Sequence, residues 1–268
     1  MLIDKKEIVI VIPTHKATIN ALERTSLSQL IKILPDYPLF FAIPESLSFS
    51  ASQLIPGNRV LEKAGIVRFK DESFASAKGY NKLIVTKDFF TPFKNYKYLF
   101  LYQMDAYVFY DGLQEWASKG YDYIGAPWVK EDELTFMRSM YRGKLRFIFS
   151  FMRFINRVFF GKKDYAIGNG GMSLRNISKS LTVLDRLSFL ANRWTIHEDI
   201  FWSMAAPTLY PFFKVPNMKD AFNFSFERDP EKFLELNKNQ LPFGCHAWEK
   251  FSPEFWQKHI QVINYQTA

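Results

Sequence analysis

The sequence predicts an α/β fold built on a central, mostly parallel sheet flanked by helices, and three observations carry that expectation. EIVIVI (7–12) and PLFFAI (38–43) are short apolar runs, each closed by a proline, Pro13 and Pro44, as strands buried on both faces read. Between them, Ile19, Leu22, Leu27, Leu30, Ile31 and Leu34 recur at helical spacing, giving the strand, helix, strand order of a crossover unit. The third is YLFLYQMDAYVF (98–109), an apolar run with one carboxylate, Asp105, set within it. An unpaired buried charge is costly enough to shift its own pKa, so Asp105 must lie at a strand end or meet a compensating group.

The other elements follow in order. IVRF (66–69) reads as a short strand, Ala77 to Phe90 as a helix, and Tyr98 to Gln103 as a strand, with AYVF a second short run after Asp105. In open parallel sheets ligands gather beyond the carboxyl ends of the strands, and Asp105 is expected there. DGLQEWASKG (111–120) reads as a helix, YDYIGAPW (121–128) as a strand running into a turn, and DYAIGNGGMSLRN (164–176) as a glycine-interrupted extended stretch. Helices are expected from about Ile177 to Leu190 and from near Thr195, and a strand over TLYPFFKVP (208–216). LPFGCHAW (241–248) and a final amphipathic piece complete the chain. With 268 residues, 48% hydrophobic content and no repeat or long linker, the expectation is one domain over 1–268, with a basic, aromatic insertion or lid at about 130–163.

The formal net charge of +8 has a location. Arg138, Arg142, Lys144, Arg146, Arg153, Arg157, Lys162 and Lys163 fall between Thr135 and Lys163, where no acid occurs. Fifteen apolar residues, including Phe147, Phe149, Phe151, Phe154, Phe159 and Phe160, are interleaved with them. Such a helix either lies on an anionic membrane or packs on its own domain with its charges solvated. Nucleic acid is not expected, because no base-reading motif accompanies the charge. The single Cys245 excludes an internal disulfide, and no Cys/His cluster has zinc spacing. The apolar run in MLIDKKEIVIVIP is too short for a signal or a span. The expected location is cytoplasmic, or peripheral on the inner face of the plasma membrane.

Four stretches stand in order: YQMDA (102–106), IGNGGMSLR (167–175), HEDIFW (197–202) and FGCHAW (243–248). Together they resemble the GT-A class of nucleotide-sugar-dependent glycosyltransferases, and in particular a bacterial family of formerly unknown function sharing YQxDA, GNGG, EDxFW and FGCHAW stretches. The resemblance runs from IVIVIPTHK to FGCHAW and implies a GT-A (Rossmann-like) domain. It also implies a Mn2+ or Mg2+ ion, a nucleotide-sugar donor and a glycan or lipid-linked acceptor. Asp105 matches the last aspartate of the class's Asp-x-Asp metal element, and His246 matches its late ligand. Gln103 departs from the pattern where the first aspartate is usual; its amide suits a ribose hydroxyl but brings the metal no charge. Met104 lies beside it on the donor side. Pro13, Thr14 and His15 end the first strand, where the class holds its nucleobase, and Lys78, Asn81 and Lys82 are candidates for the base or the diphosphate.

Glu198 and Asp199 are the candidate catalytic acids. Thr195 and Glu198 have capping-box spacing, which leaves Asp199 to face the cleft, kept ionised by the positive helix terminus; the resemblance makes Asp199 the base for the acceptor hydroxyl. In the same reading Asn169, Gly170 and Gly171 line the sugar pocket, the glycines admitting a ligand close to the backbone; otherwise the stretch is a bulge or turn. Trp128, Trp202 and Trp248 offer faces for sugar rings, or fill the core. The functional expectation is a metal-dependent, inverting glycosyltransferase using a UDP-sugar in surface polysaccharide synthesis. Alternatives are a non-catalytic carbohydrate-binding or scaffold protein on the same fold, to which Gln103 points, and a sugar nucleotidyltransferase, against which IPTHKATIN lacks the glycine-rich loop.

Overall fold

Ile8–Pro13 forms β1, and its residue order explains its central place. Ile8, Ile10 and Ile12 enter one apolar layer and Val9 and Val11 the opposite one, none more than 1% exposed. The computed structural model describes residues 2–128, 151, 154, 155, 158 and 167–263. β1 lies between β2 (Leu39–Pro44) and β4 (Tyr98–Tyr102); β3 (Gly65–Phe69) flanks β2, and β7 (Met172–Asn176) and β6 (Tyr123–Ile124) continue beyond β4. The order of this six-stranded sheet is therefore β3-β2-β1-β4-β7-β6. The first four strands are mutually parallel, and β7 runs antiparallel to both of its neighbours. The expected α/β fold, with a mostly parallel sheet between helices, is the observed one.

Helix Ala21–Ile33 covers one face through Leu27, Leu30 and Ile31 and begins on a reciprocal cap between Asn20 and Glu23. Helices Ala77–Leu83, Lys87–Phe90 and Ile177–Arg186, with the segment after Ile200, cover the other. Each large apolar side chain sealed in these layers contributes about 1.5–3 kcal/mol. A second sheet of three strands, β5 (Ala106–Val108), β9 (Gly244–His246) and β8 (Ser225–Phe226), packs over a third cluster that holds Tyr107, Cys245, Trp248 and Trp256.

Some expected elements differ. The helix expected over 77–90 is two, interrupted at Ile84–Thr86, and that over 177–190 ends at Arg186, with a separate turn at Ser188–Ala191. No strand forms over 208–216: Pro211 and Pro216 remove donors, and Lys214 meets the start of β6 instead, its carbonyl accepting from the N–H groups of Asp122 and Tyr123 at 2.7 and 3.3 Å and its N–H donating to Asp122 Oδ2 at 2.9 Å. The Thr195 capping box does not form. The helix begins at Glu198, has no side-chain cap, and passes into a π-turn at Phe201–Ala205. The lid expected at 130–163 lies outside the described residues, apart from Phe151, Phe154, Ile155 and Val158, which are helical.

Candidate active site

Strand register assembles the site. In the antiparallel β5–β9 pair Ala106 faces His246, so Asp105, one residue earlier, arrives beside the imidazole. In the parallel β8–β9 pair Phe226 faces Cys245, which carries Glu227, the next residue, to the other side of His246. Tyr102 faces Met172 in the β4–β7 pair, and one step further the Gln103 N–H donates to the Gly171 carbonyl at 2.8 Å. Four distant segments therefore end at one place, beyond the carboxyl end of β4.

There, His246 Nε2 lies 3.1 Å from Asp105 Oδ1 and 3.1 Å from Gln103 Oε1, and Nδ1 lies 3.3 Å from Glu227 Oε1. Burial pulls the imidazole down, but the Asp105 and Glu227 carboxylates outweigh it and push it up to about 10. At neutral pH the ring is an imidazolium donating from both nitrogens. Burial likewise pushes Asp105 up, while His246 and, behind it, Lys250 hold its carboxyl below the ordinary value. The compensating group that the sequence demanded for Asp105 is thus His246. Gly171 makes room for it, since a Cβ there would stand 1.9 Å from Nε2.

Two cavities meet at this point. The larger, about 560 Å³, is lined by Pro13, Thr14, His15, Lys16, Ser76, Tyr80, Gln103, Met104, Asp105, Glu249 and Lys250, among others; its size suits a nucleotide-sized ligand. The smaller, about 320 Å³, is lined by Asn81, Trp128, Asn169, Gly170, Gly171, Glu198, Asp199, Glu227 and His246, among others. Tyr80 and Gln103 belong to both walls, and Gln103 Nε2 donates to the Tyr80 hydroxyl at 3.2 Å.

Under the smaller cavity lies a buried ion pair. Arg175 Nη2 donates to Glu198 Oε1 at 3.0 Å and Nε to Ser173 Oγ at 3.0 Å, with the guanidinium 5.2 Å from the Tyr123 ring centroid. Arg175 Nη1 and Glu198 Oε2 are buried without a hydrogen-bond partner among the described residues. Glu198, expected to close a helix cap, instead neutralises Arg175. Asp199 lines the cavity, where burial first, then the neighbouring Glu198 and Glu227, push its carboxyl well above its ordinary value, against the helix terminus expected to keep it ionised.

The structure brings together most of the residues singled out in the sequence. Pro13, Thr14, His15, Gln103, Met104 and Asp105 line the larger cavity, and Asn81, Trp128, Asn169, Gly170, Gly171, Glu198, Asp199 and His246 the smaller. Lys78 and Lys82 are exposed and line neither. Trp202 is sealed in the core against Phe90 and Phe201 with its Nε1 on the Ile84 carbonyl, and Trp248 is buried against Tyr107, so neither offers a face to a sugar. Gly170 and Gly171, on the wall of the smaller cavity, make room first for protein side chains: a Cβ on Gly170 would lie 1.6 Å from Glu198 Oε1. Asn169 Oδ1 accepts from the Gly171 N–H at 2.8 Å, stabilising that turn. Glu227, Tyr80, Arg175 and Lys250 were missed. Arg175, a charge in a strand that otherwise reads as buried, carried the same signal as Asp105; Glu227, in FSFERDP, carried none.

Fold and cleft define an α/β protein with a polar ligand site at the carboxyl ends of its parallel strands. The chain belongs to the family described as "Protein of unknown function (DUF5672)", whose model matches residues 63–246. No curated protein matches the sequence. Among solved structures it is similar to the galactosyltransferase LgtC in complex with donor and acceptor sugar analogues, at 14% identity over 96% of this chain and 98% of that one, with a TM-score of 0.48. It is similar to the apo-form glycosyltransferase GlyE of Streptococcus pneumoniae TIGR4, at 14% identity, covering 93% of this chain and 59% of that one, with a TM-score of 0.47. Mouse xyloside xylosyltransferase 1 in its apo form gives 13% identity, 90% and 96% coverage and a TM-score of 0.48.

Proposed function

We propose that the protein is a metal-dependent glycosyltransferase. It moves a sugar, with inversion, from a UDP-linked donor to a hydroxyl of a glycan or lipid-linked acceptor in surface polysaccharide synthesis. The observation that carries this reading is the meeting of Asp105, Gln103 and His246 at the junction of the two cavities. The larger cavity suits the nucleotide, the smaller the transferred sugar. Among the described residues no three His, Cys, Asp or Glu side chains are grouped to hold a metal. The donor set of one carboxylate, one amide oxygen and one imidazole nitrogen fits an ion that completes its shell with diphosphate oxygens and water, Mg2+ or, with imidazole present, Mn2+. When bound, that ion offsets the negative charge developing on the departing diphosphate.

Asp105 and His246 would hold the ion, and Lys250, lining the same cavity as Asp105, supplies a further positive charge for the diphosphate. Asn169 and Glu198 orient the sugar, and Asp199 takes the acceptor proton; the elevated proton affinity of its carboxyl makes it a stronger base once ionised. The test is UDP-sugar hydrolysis or transfer with Mn2+, with EDTA, and with Asp105→Ala. Activity is expected to vanish in chelator and in the variant; full activity in either rejects the metal role.

The basic segment supports a peripheral association with anionic membranes on the cytoplasmic side. Phe151, Phe154 and Val158, at helical spacing, are 63%, 61% and 58% exposed within that segment, and no described helix is long and apolar enough to cross a membrane. An apolar stripe within a basic sequence suits an anionic interface. Salt-sensitive flotation with anionic but not neutral vesicles is expected; equal recovery on both removes the charge argument.

A further inference from the structure

We propose that Glu227 is the positioning residue of the metal site: it fixes the His246 ring through Nδ1 so that Nε2 is presented to the ion beside Asp105. The inference rests on the metal-dependent reading above and adds to it a residue that belongs to none of the sequence stretches pointing to that reading.

The geometry separates the two ring nitrogens. Nε2 faces Asp105 Oδ1 and Gln103 Oε1, both at 3.1 Å, while among the described residues Nδ1 faces Glu227 Oε1 alone, at 3.3 Å. A carboxylate on Nδ1 accepts that N–H, which leaves Nε2 as the nitrogen with a lone pair to offer once a cation replaces its proton. Glu227 has a fixed origin: it follows β8, whose parallel register with β9 sets it beside His246, and its side chain is only 13% exposed. On the opposite side the ring packs against the Gly171 backbone, where any Cβ would stand 1.9 Å from Nε2. The imidazole is thereby fixed in orientation, with Nε2 turned toward Asp105 and Gln103 on the wall of the larger cavity. Glu227 also lines the smaller cavity, so the residue that aims the ligand lies where a sugar would sit.

The experiment measures Mn2+ affinity by electron paramagnetic resonance of free Mn2+, with saturating UDP, for the wild-type protein, Glu227→Ala and Glu227→Gln. Melting temperature and UDP affinity in EDTA are measured alongside. Glu227→Ala is expected to weaken Mn2+ binding roughly 10–100-fold while leaving metal-free UDP binding unchanged. Glu227→Gln, whose amide oxygen still accepts from Nδ1–H, recovers most of the loss and keeps the proposal testable should the alanine variant fold poorly. Mn2+ affinity within twofold of wild type in Glu227→Ala overturns the positioning role and leaves the metal reading standing. Equal loss of Mn2+ and metal-free UDP binding makes Glu227 merely structural and overturns it as well. A wild-type protein that binds no Mn2+ brings down the metal reading and this inference together.

Discussion

Asp199 shares its cavity wall with Glu198 and Glu227, and the crowding of carboxyl groups together with burial raises its proton affinity. A base must be ionised to act, so the acid limb of kcat/KM is expected above the range where ordinary carboxylates titrate, with activity still climbing as pH rises toward neutrality. A profile already flat at pH 5 would assign the proton elsewhere. Asp199→Asn should lower kcat on the order of 10²–10⁴-fold with UDP binding intact. Arg175 and Glu198 present a different balance: each is buried and each compensates the other. Glu198→Ala leaves the guanidinium uncompensated, and urea titration should show a loss of about 3–5 kcal/mol, whereas Arg175→Met combined with Glu198→Leu should restore much of it. Equal destabilisation by the single and double changes would show that the pair acts through packing alone.

At the scale of elements, the turn before β7 and the small sheet hold the site in register. Gly171→Ala places a methyl against His246, whose ring is fixed on both nitrogens and cannot swing away without losing Asp105 or Glu227. The expected result is a folded protein that has lost Mn2+-dependent UDP binding, visible by calorimetry; unchanged binding would mean that the ring has an alternative seat. Much of this architecture was legible in the sequence. The runs that became β1, β2 and β4 are apolar throughout and carry their own proline stops at β1 and β2, and Asp105 declared itself by being charged among them. β8 was not legible, because two residues carry no periodicity, and with it Glu227 was lost. The Thr195 capping box failed for a related reason: local spacing offered Glu198 a backbone partner, but a buried guanidinium outbids an exposed amide. Trp202 and Trp248 show the ambiguity of aromatic residues, whose surface suits a sugar or a core equally until the neighbours are known.

Across the whole molecule, Asp220 links distant helices by bonding Lys119 at 2.7 Å and the Tyr121 hydroxyl at 2.6 Å. Burial pushes its carboxyl up, but those two hydrogen bonds outweigh burial and hold it below the ordinary value. A carboxyl depressed in the folded state contributes stability that is complete above its unfolded pKa and is lost as pH falls through the folded one. Asp220→Asn is therefore expected to cost roughly 1 kcal/mol or less near pH 7 and to narrow its deficit against wild type below pH 4 in chemical denaturation; a deficit independent of pH would exclude the ionic contribution. The small sheet has one more implication. The tail beyond residue 246 leaves directly from a strand of three residues whose final member is His246, so retention of the tail and integrity of the cleft are mechanically coupled. Whatever peels that strand away dismantles the pocket, and whatever fills the pocket should slow the peeling, so that a protease nicking near the C-terminus would read out cleft occupancy.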